Sequence, residues 1–392
     1  MSQMASLVEP EQTEWTQQTK WSFSTGASMD GISRRRFLGA GLAAGATALA
    51  GPMVWVPKAR ASVAPGSQVH PQVNQLLVVG VTDAQMTRGL EPSCGWSRQE
   101  ELVVPQRIFE NMDRLACALT SLKDPVQAWK QIFVKPPGKA WSDVVVAIKT
   151  NNIALQHTRS PVLAKVCRVL VELLGVKPHS INVYDAIHGS GMSKSTPFKG
   201  LPEGVRIQDA WDGITAPTAI PAPWRQGTAK SKCIPQLVEG SVDILVNIAL
   251  CKGHSSRFGG FTMSMKNHFG TFSPRPGHEE GSEDYLISIN KTPEILGPMD
   301  SKTGKVLFPR QQLCVLDGLW ASKGGPGGNP THQPNFLAMG VFSPVLDYLI
   351  ATCFRGERMG WKPEPEMTER MLSEYGYSPS DLPQGGRILE LS

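Results

Sequence analysis

Between residues 143 and 185 two short apolar, β-branched runs enclose a single amphipathic helix, and no other stretch restricts the fold as much. The first run, 143–148, reads as a buried strand; the second, 181–184, reads as another and ends in Asp185. Between them Ser160-Pro161 supplies an N-cap and a proline at the first helical position, and Gly175 stops the helix. Val162, Val166, Val169, Leu170, Leu173 and Leu174 recur at helical spacing, so one face of this helix is buried. A strand, a helix and a strand at this spacing close as a right-handed crossover, which lays the two strands parallel.

Further strand-like runs at 75–81, 205–208, 244–250 and 313–316 alternate with helical spacing at 100–119, 124–133 and 343–354. Pro105 breaks or opens the first of these helices, Asp124-Pro125 opens the second and Ser343-Pro344 the third. The alternation implies an α/β fold. The expected architecture is a largely parallel sheet with helices on both faces, doubly wound and Rossmann-like, in one large or two modest lobes. The run at 205–208 reads as an edge strand, 215–224 as a connection wrapping the surface, and 362–392 as a small helix with an extended tail.

The N-terminus reads as a targeting segment. Ser33-Arg34-Arg35-Arg36-Phe37-Leu38 resembles a twin-arginine export motif, with Gly39 where a lysine is often found. An Ala/Gly-rich run follows at 37–51, too short and too weakly apolar to span a membrane and interrupted by Pro52. Ala59-Arg60-Ala61 supplies an A-x-A cleavage site, so cleavage is expected after Ala61. The expected partner during export is the twin-arginine translocase, the destination periplasmic or extracellular, with no stable membrane span after cleavage. The remaining boundaries are an N-terminal α/β segment at 62–142, a main α/β domain at 143–355 and a C-terminal extension at 356–392.

A formal net charge of +5 over 392 residues is too weak to argue for nucleic acid, and no basic stripe or RNA-binding motif appears. Small molecules are the expected partners. The seven cysteines lie far apart with no C-x-x-C pair, which excludes the familiar iron–sulfur and zinc-ribbon spacings. An oxidising destination permits a disulfide, and an odd count leaves at least one thiol unpaired. Cys167, on the apolar side of its helix, reads as core.

Chemistry concentrates after the run at 244–250. From residue 244 to 278 there is no Asp or Glu, while Lys252, Arg257, Lys266 and Arg275 bring four positive charges and His254, His268 and His278 lie among them. Loops leaving the carboxyl ends of strands are where open α/β sheets bind ligands. Cations crowded without a carboxylate repel one another, and a bound anion relieves that repulsion. A crowded lysine has a lowered pKa and acts as a base, while a histidine titrates near neutral pH. Lys266, His254 and His278 are therefore the candidate catalytic residues, by proton transfer. Lys149, Asn151, Lys252, Asn267, Asp317 and Gly325 are candidate ligand-binding residues. Lys149, Asn151 and the segment 158–160 lie between a strand and a helix N-terminus, a natural anion cradle. His268 is set aside as a ring packed beside Phe269.

A competing account of the histidines is a divalent metal held by Asp185, His254, His278 and Asp317, with His188 nearby in sequence. The histidines lack the i, i+4 spacing of a helical metalloprotease motif, and neighbouring lysines disfavour a bare dication. The glycine-rich 324–328 lacks the Walker lysine and the G-x-G-x-x-G pattern, and no G-x-S-x-G elbow is present. The expectation is an exported enzyme acting on a small carboxylate- or phosphate-bearing molecule. The alternatives are a periplasmic metal-binding or redox protein and a non-catalytic anion-binding protein.

Several of these pieces stand in a set order. Ile148-Lys149-Thr150-Asn151 closes a strand, and Asp243 to Asn247 leads into Cys251-Lys252-Gly253-His254. Thr262-Met263-Ser264-Met265-Lys266-Asn267 runs on to Gly270, followed by His278, Asp317-Gly318, Gly325-Pro326 and Ser343-Pro344 with Asp347 beyond. In this the chain resembles the bacterial and archaeal family called domain of unknown function 362, over roughly residues 143–354. The lysine–histidine pair followed by T-x-x-x-K-N-x-x-G carries the resemblance. Some members of that family carry ferredoxin-like cysteine clusters; this chain has none, so an electron-transfer role has no cysteines here to support it.

Overall fold

The computed structural model describes residues 62–392 apart from 154, 186–191 and 210–212. The twin-arginine motif, the expected cleavage site and His188 lie outside the described residues. In chain order the strands are β1 (Val79–Thr82), β2 (Val146–Lys149), β3 (Asn152–Ile153), β4 (Gln156–His157), β5 (Ile181–Asp185) and β6 (Arg206–Asp209). They continue with β7 (Ala216–Ala222), β8 (Gly227–Cys233), β9 (Ile244–Gly253), β10 (Phe261–Thr262), β11 (Gln311–Ala321), β12 (Phe336–Gly340) and β13 (Leu389–Leu391).

One large sheet runs in the order β13-β1-β12-β11-β9-β2-β5-β6, with β10 attached to β9. The pairs β11–β9, β9–β2, β2–β5, β5–β6 and β1–β13 are parallel, while β12 is antiparallel to both β1 and β11. The crossover expected between 143 and 185 is β2, the helix Ser160–Arg168 with its continuation to Leu173, and β5. The run at 205–208 forms β6 at the sheet edge.

Strand side chains alternate between two apolar layers, as the pleat requires. Along β9, Ile244, Val246 and Ile248 join one layer with the helices Pro105–Thr120, Pro125–Ile132 and Ser160–Arg168. Leu245, Ala249 and Cys251 join the other, with Ser282–Ile289, Ser343–Leu349 and Pro365–Ser373. Helices thus cover both faces, which makes the sheet an α/β fold of the kind the alternation implies. Cys167 is fully buried in the first layer, and none of the seven cysteines is in a disulfide.

β1 and β13, from the flanking segments, belong to the same sheet as the strands of 143–355, and the described residues form one unit, the first of the two arrangements expected. Three features differ from expectation. The segment at 215–224 is not a surface connection but contains β7, paired to β8 in a separate hairpin. Pro217 and Pro221 disguised it, yet β7 pairs on one side only, where missing N–H groups are tolerated. Thr218, Ile220 and Ala222 of β7 face inward with Ala229, Ser231 and Cys233 of β8. β9 does not stop at Leu250 but continues through Cys251 and Lys252 to Gly253, buried throughout. Finally, β12 had no counterpart in the expected elements.

Candidate active site

The carboxyl ends of the parallel strands β2, β5 and β9 meet at a cavity of about 390 Å³. Lys149 and Asn151 reach it from the end of β2, Asp185 from the end of β5, and His254 from just beyond β9. The turn Ser264–Asn267 contributes Lys266 and Asn267, and His278, Phe269 and Gly270 complete the polar end. Ile153, Pro274 and Pro326 form an apolar rim.

Backbone and side-chain ties explain why the turn sits there. Both carboxylate oxygens of Asp347, in the helix Ser343–Leu349, accept backbone N–H groups, from Ser264 at 2.8 Å and Met265 at 2.7 Å. Asn267 donates to Asn247 Oδ1 at 2.7 Å and to the Ile248 carbonyl at 3.2 Å, which fastens the turn to β9. Asn247 in turn donates to the carbonyl and hydroxyl of Ser264. Burial pushes the Asp347 carboxyl up to about 7, against the pull of the Ser264 and Met265 N–H donors.

The buried lysines fall into two kinds. Lys149 Nζ donates to the Thr150 carbonyl at 2.6 Å, Asp185 Oδ1 at 2.7 Å and Asn267 Oδ1 at 3.1 Å. Lys252 Nζ donates to Asn151 Oδ1 at 2.6 Å and to the carbonyls of Gln156 at 3.0 Å and Ile153 at 3.4 Å. An ammonium has three protons, so both are fully engaged. Burial nevertheless lowers both, Lys252 to about 7, against the pull of Asp185. Lys266 is different. Its Nζ lies 3.8 Å from the centre of the Phe269 ring and 4.0 Å from that of Phe258, with no oxygen partner among the described residues. It is 7% exposed, and that opening is the cavity. Burial holds the amine at about 7, against an ordinary 10.5.

Both outer histidines are neutral near pH 7. Burial first, then the charges of Lys266 and His278, pull His254 down to about 4. Burial, Lys266 and Arg257 lower His278. The Ser255 N–H donates to His254 Nδ1 at 2.8 Å, so the neutral ring carries its proton on Nε2. The two rings stack at 6.4 Å, and both meet Phe258 edge to face.

Lys266, His254, His278, Lys149, Asn151 and Asn267 therefore come together, but the last three are not equivalent to a free hand. All four hydrogen-bonding positions of the Asn267 amide are occupied: it accepts from Lys149 and from Asn151 at 3.0 Å and donates twice to β9. Lys252 stands behind the cavity and braces Asn151. Asp317 lies elsewhere, wholly buried, accepting from the Arg159 backbone N–H at 2.9 Å. Together with Glu100, which accepts from the Ser160 N–H at 2.8 Å, it occupies the helix N-terminus that looked like an anion cradle. Gly325 is a packing position: a Cβ there meets the Gly253 carbonyl at 2.4 Å, while its neighbour Pro326 lines the cavity. His268 is buried and bonded to Gln311 and Thr271.

Asp185, His254 and His278 share the cavity, but Asp317 does not join them. Both Asp185 oxygens are taken, by Lys149 and by the Asn152 N–H at 2.6 Å. Among the described residues no three His, Cys, Asp or Glu gather as a metal set. Phe258, Phe269 and Gly270 were the residues sequence reasoning missed. The two aromatics alternate with the cations in the same stretch, which was the available signal. Gly270 is needed because a Cβ there lies 2.5 Å from Lys149 Cε and 2.6 Å from Asp185 Oδ1.

A family model described as domain of unknown function (DUF362) matches residues 146–351, more than half of the chain. The chain belongs to the DUF362 family. No curated protein and no solved structure matches it significantly. Every residue lining the cavity, together with Lys252 and Asp347, lies inside the DUF362 region, whereas β1, β13 and the helix Pro365–Ser373 lie outside it. Among the described residues this DUF362 site carries Lys149 and Lys266 at the cavity and Lys252 behind it against one carboxylate, Asp185, so their balance is cationic.

Proposed function

We propose that the cavity binds a small molecule bearing a carboxylate or phosphate, and that the protein is an enzyme moving a proton on that molecule through Lys266, His254 and His278. The observation that carries this reading is the Lys266 amine, which lines the cavity with no oxygen acceptor among the described residues while Lys149 and Lys252 are saturated. An anion gives Lys266 the acceptor it lacks. The neutral amine is a base of the right strength near pH 7, and neutral His278 on the same wall can accept the proton while His254 donates from Nε2. Export by the twin-arginine route is part of the proposal and rests on Ser33 to Leu38 and on Ala59-Arg60-Ala61.

The test is solvent deuterium exchange into a panel of small carboxylates and phosphates, followed by proton NMR, beside calorimetric binding of the same compounds. Exchange by the wild type that Lys266→Met abolishes supports the enzyme. Binding with exchange no faster than in buffer leaves a non-catalytic anion binder, and no binding at all refutes both. Affinity also carries a pH signature, because anion binding and Lys266 protonation favour each other. Binding is expected to weaken by up to about tenfold per pH unit above 7, until the pKa of the complex is reached.

A further inference from the structure

We propose that Lys266 is a covalent nucleophile, forming an imine with the carbonyl carbon of a small anionic aldehyde or ketone such as a 2-oxo acid. This rests on the anion-binding reading above and names the substrate class of the same cavity. Three features of the geometry lead to it. The amine sits between the faces of Phe258 and Phe269, at 4.0 and 3.8 Å, in surroundings that solvate an ammonium less well than water does. Losing its proton breaks no hydrogen bond among the described residues, in contrast with Lys149 and Lys252. Its position is fixed by the Asp347 cap and the Asn267 ties rather than by its own head group, so the nitrogen is held while its lone pair stays available.

The chemistry balances with the groups present. The neutral nitrogen attacks the carbonyl carbon, a C–N bond forms, and the C=O π pair moves to oxygen. Neutral His278 takes a proton from the nitrogen and returns it to that oxygen, toward which the Nε2–H of His254 can donate. The carbinolamine hydroxyl takes a further proton and leaves as water, giving a protonated imine. Overall, carbonyl, neutral amine and one proton give iminium and one water, with no oxidant or reductant. The iminium withdraws electrons from the neighbouring carbon, and His278, neutral again after the first transfer, takes a proton there. Buried cations around the cavity favour the carboxylate that accompanies the carbonyl.

Glyoxylate with sodium borohydride at pH 7.5 tests this, read by intact mass and peptide mapping. Reduction is expected to fix one carboxymethyl group on Lys266, at about tenfold or more over any surface lysine, since the neutral fraction of a lysine of ordinary pKa is far smaller at this pH. Benzaldehyde, which lacks the anion, is expected to label Lys266 less, and inorganic phosphate to compete with glyoxylate. Labelling of Lys266 no greater than that of surface lysines overturns the inference, and this comparison needs only the wild type. Lys266→Arg is expected to lose the adduct, which assigns the label to this residue. Phosphate binding without trapped imine sinks the nucleophile and leaves the anion site standing; absence of both sinks both.

Discussion

A lysine ammonium has three protons to place. Lys149 and Lys252 place all of theirs on oxygen, and Lys149 also has the Asp185 carboxylate at 2.7 Å. Among the described residues Lys266 finds no oxygen and has two aromatic faces, which recover part of the lost hydration. The consequence for stability has a definite sign. Its folded pKa of about 7 lies below the ordinary 10.5, so between those values the unfolded chain holds a proton that the folded chain has released. Stability therefore rises with pH across that window, and below pH 7 the full cost of burying the charge is present. Lys266→Met removes the cost. It is expected to raise the melting temperature over wild type by several degrees at pH 6, with the gain shrinking toward pH 10. A gain independent of pH contradicts a depressed Lys266.

At the scale of elements, the turn Ser264–Asn267 is too short to hold itself and depends on Asp347 from a distant helix. Asp347→Ala leaves two buried N–H groups unpaired and is expected to cost about 1–3 kcal/mol in denaturant unfolding. It also displaces Lys266, so phosphate affinity should fall with it, while a surface control such as Arg387→Ala leaves that affinity unchanged. Asp347 shows why part of the site was hidden in the sequence: a residue far along the chain, within a run that reads as helix, does its work across the core. The turn it serves, and the cations at Lys252 and Lys266, were legible because charge is conspicuous after a β-branched run. Their division of labour was not, because saturation of an ammonium depends on Thr150, Gln156 and Asn151 folding around it. The hairpin β7–β8 was hidden for a different reason: proline argues against a strand unless one knows that the strand is an edge.

Across the whole molecule, the parallel strands and both helical layers followed from the pattern, since β2, β5, β9 and β11 are short buried runs alternating with helices, although β12, equally buried on both faces, was not picked out. The closure of the other end of the sheet did not follow from it. β13 arrives from the end of the chain and pairs with β1, Val79 to Leu389 and Val81 to Leu391. Two half-buried leucines around an exposed Glu390 are too short a run to carry a periodic signal. Deleting residues 388–392 uncovers the β1 edge, and the expected result is a lower melting temperature and concentration-dependent self-association, seen by light scattering. A truncated protein that melts and sediments like the full chain contradicts a sheet completed by β13.

The claim on which the rest stands is that Lys266 presents an unpartnered amine to the cavity. NMR of protein carrying carbon-13 at the lysine ε position measures this directly, with the Lys266 signal assigned by its loss in Lys266→Arg. The expected result is titration near pH 7, well below the ordinary lysine value, and an upward shift when inorganic phosphate is added. A Lys266 signal that titrates at the ordinary lysine value and ignores phosphate contradicts the account.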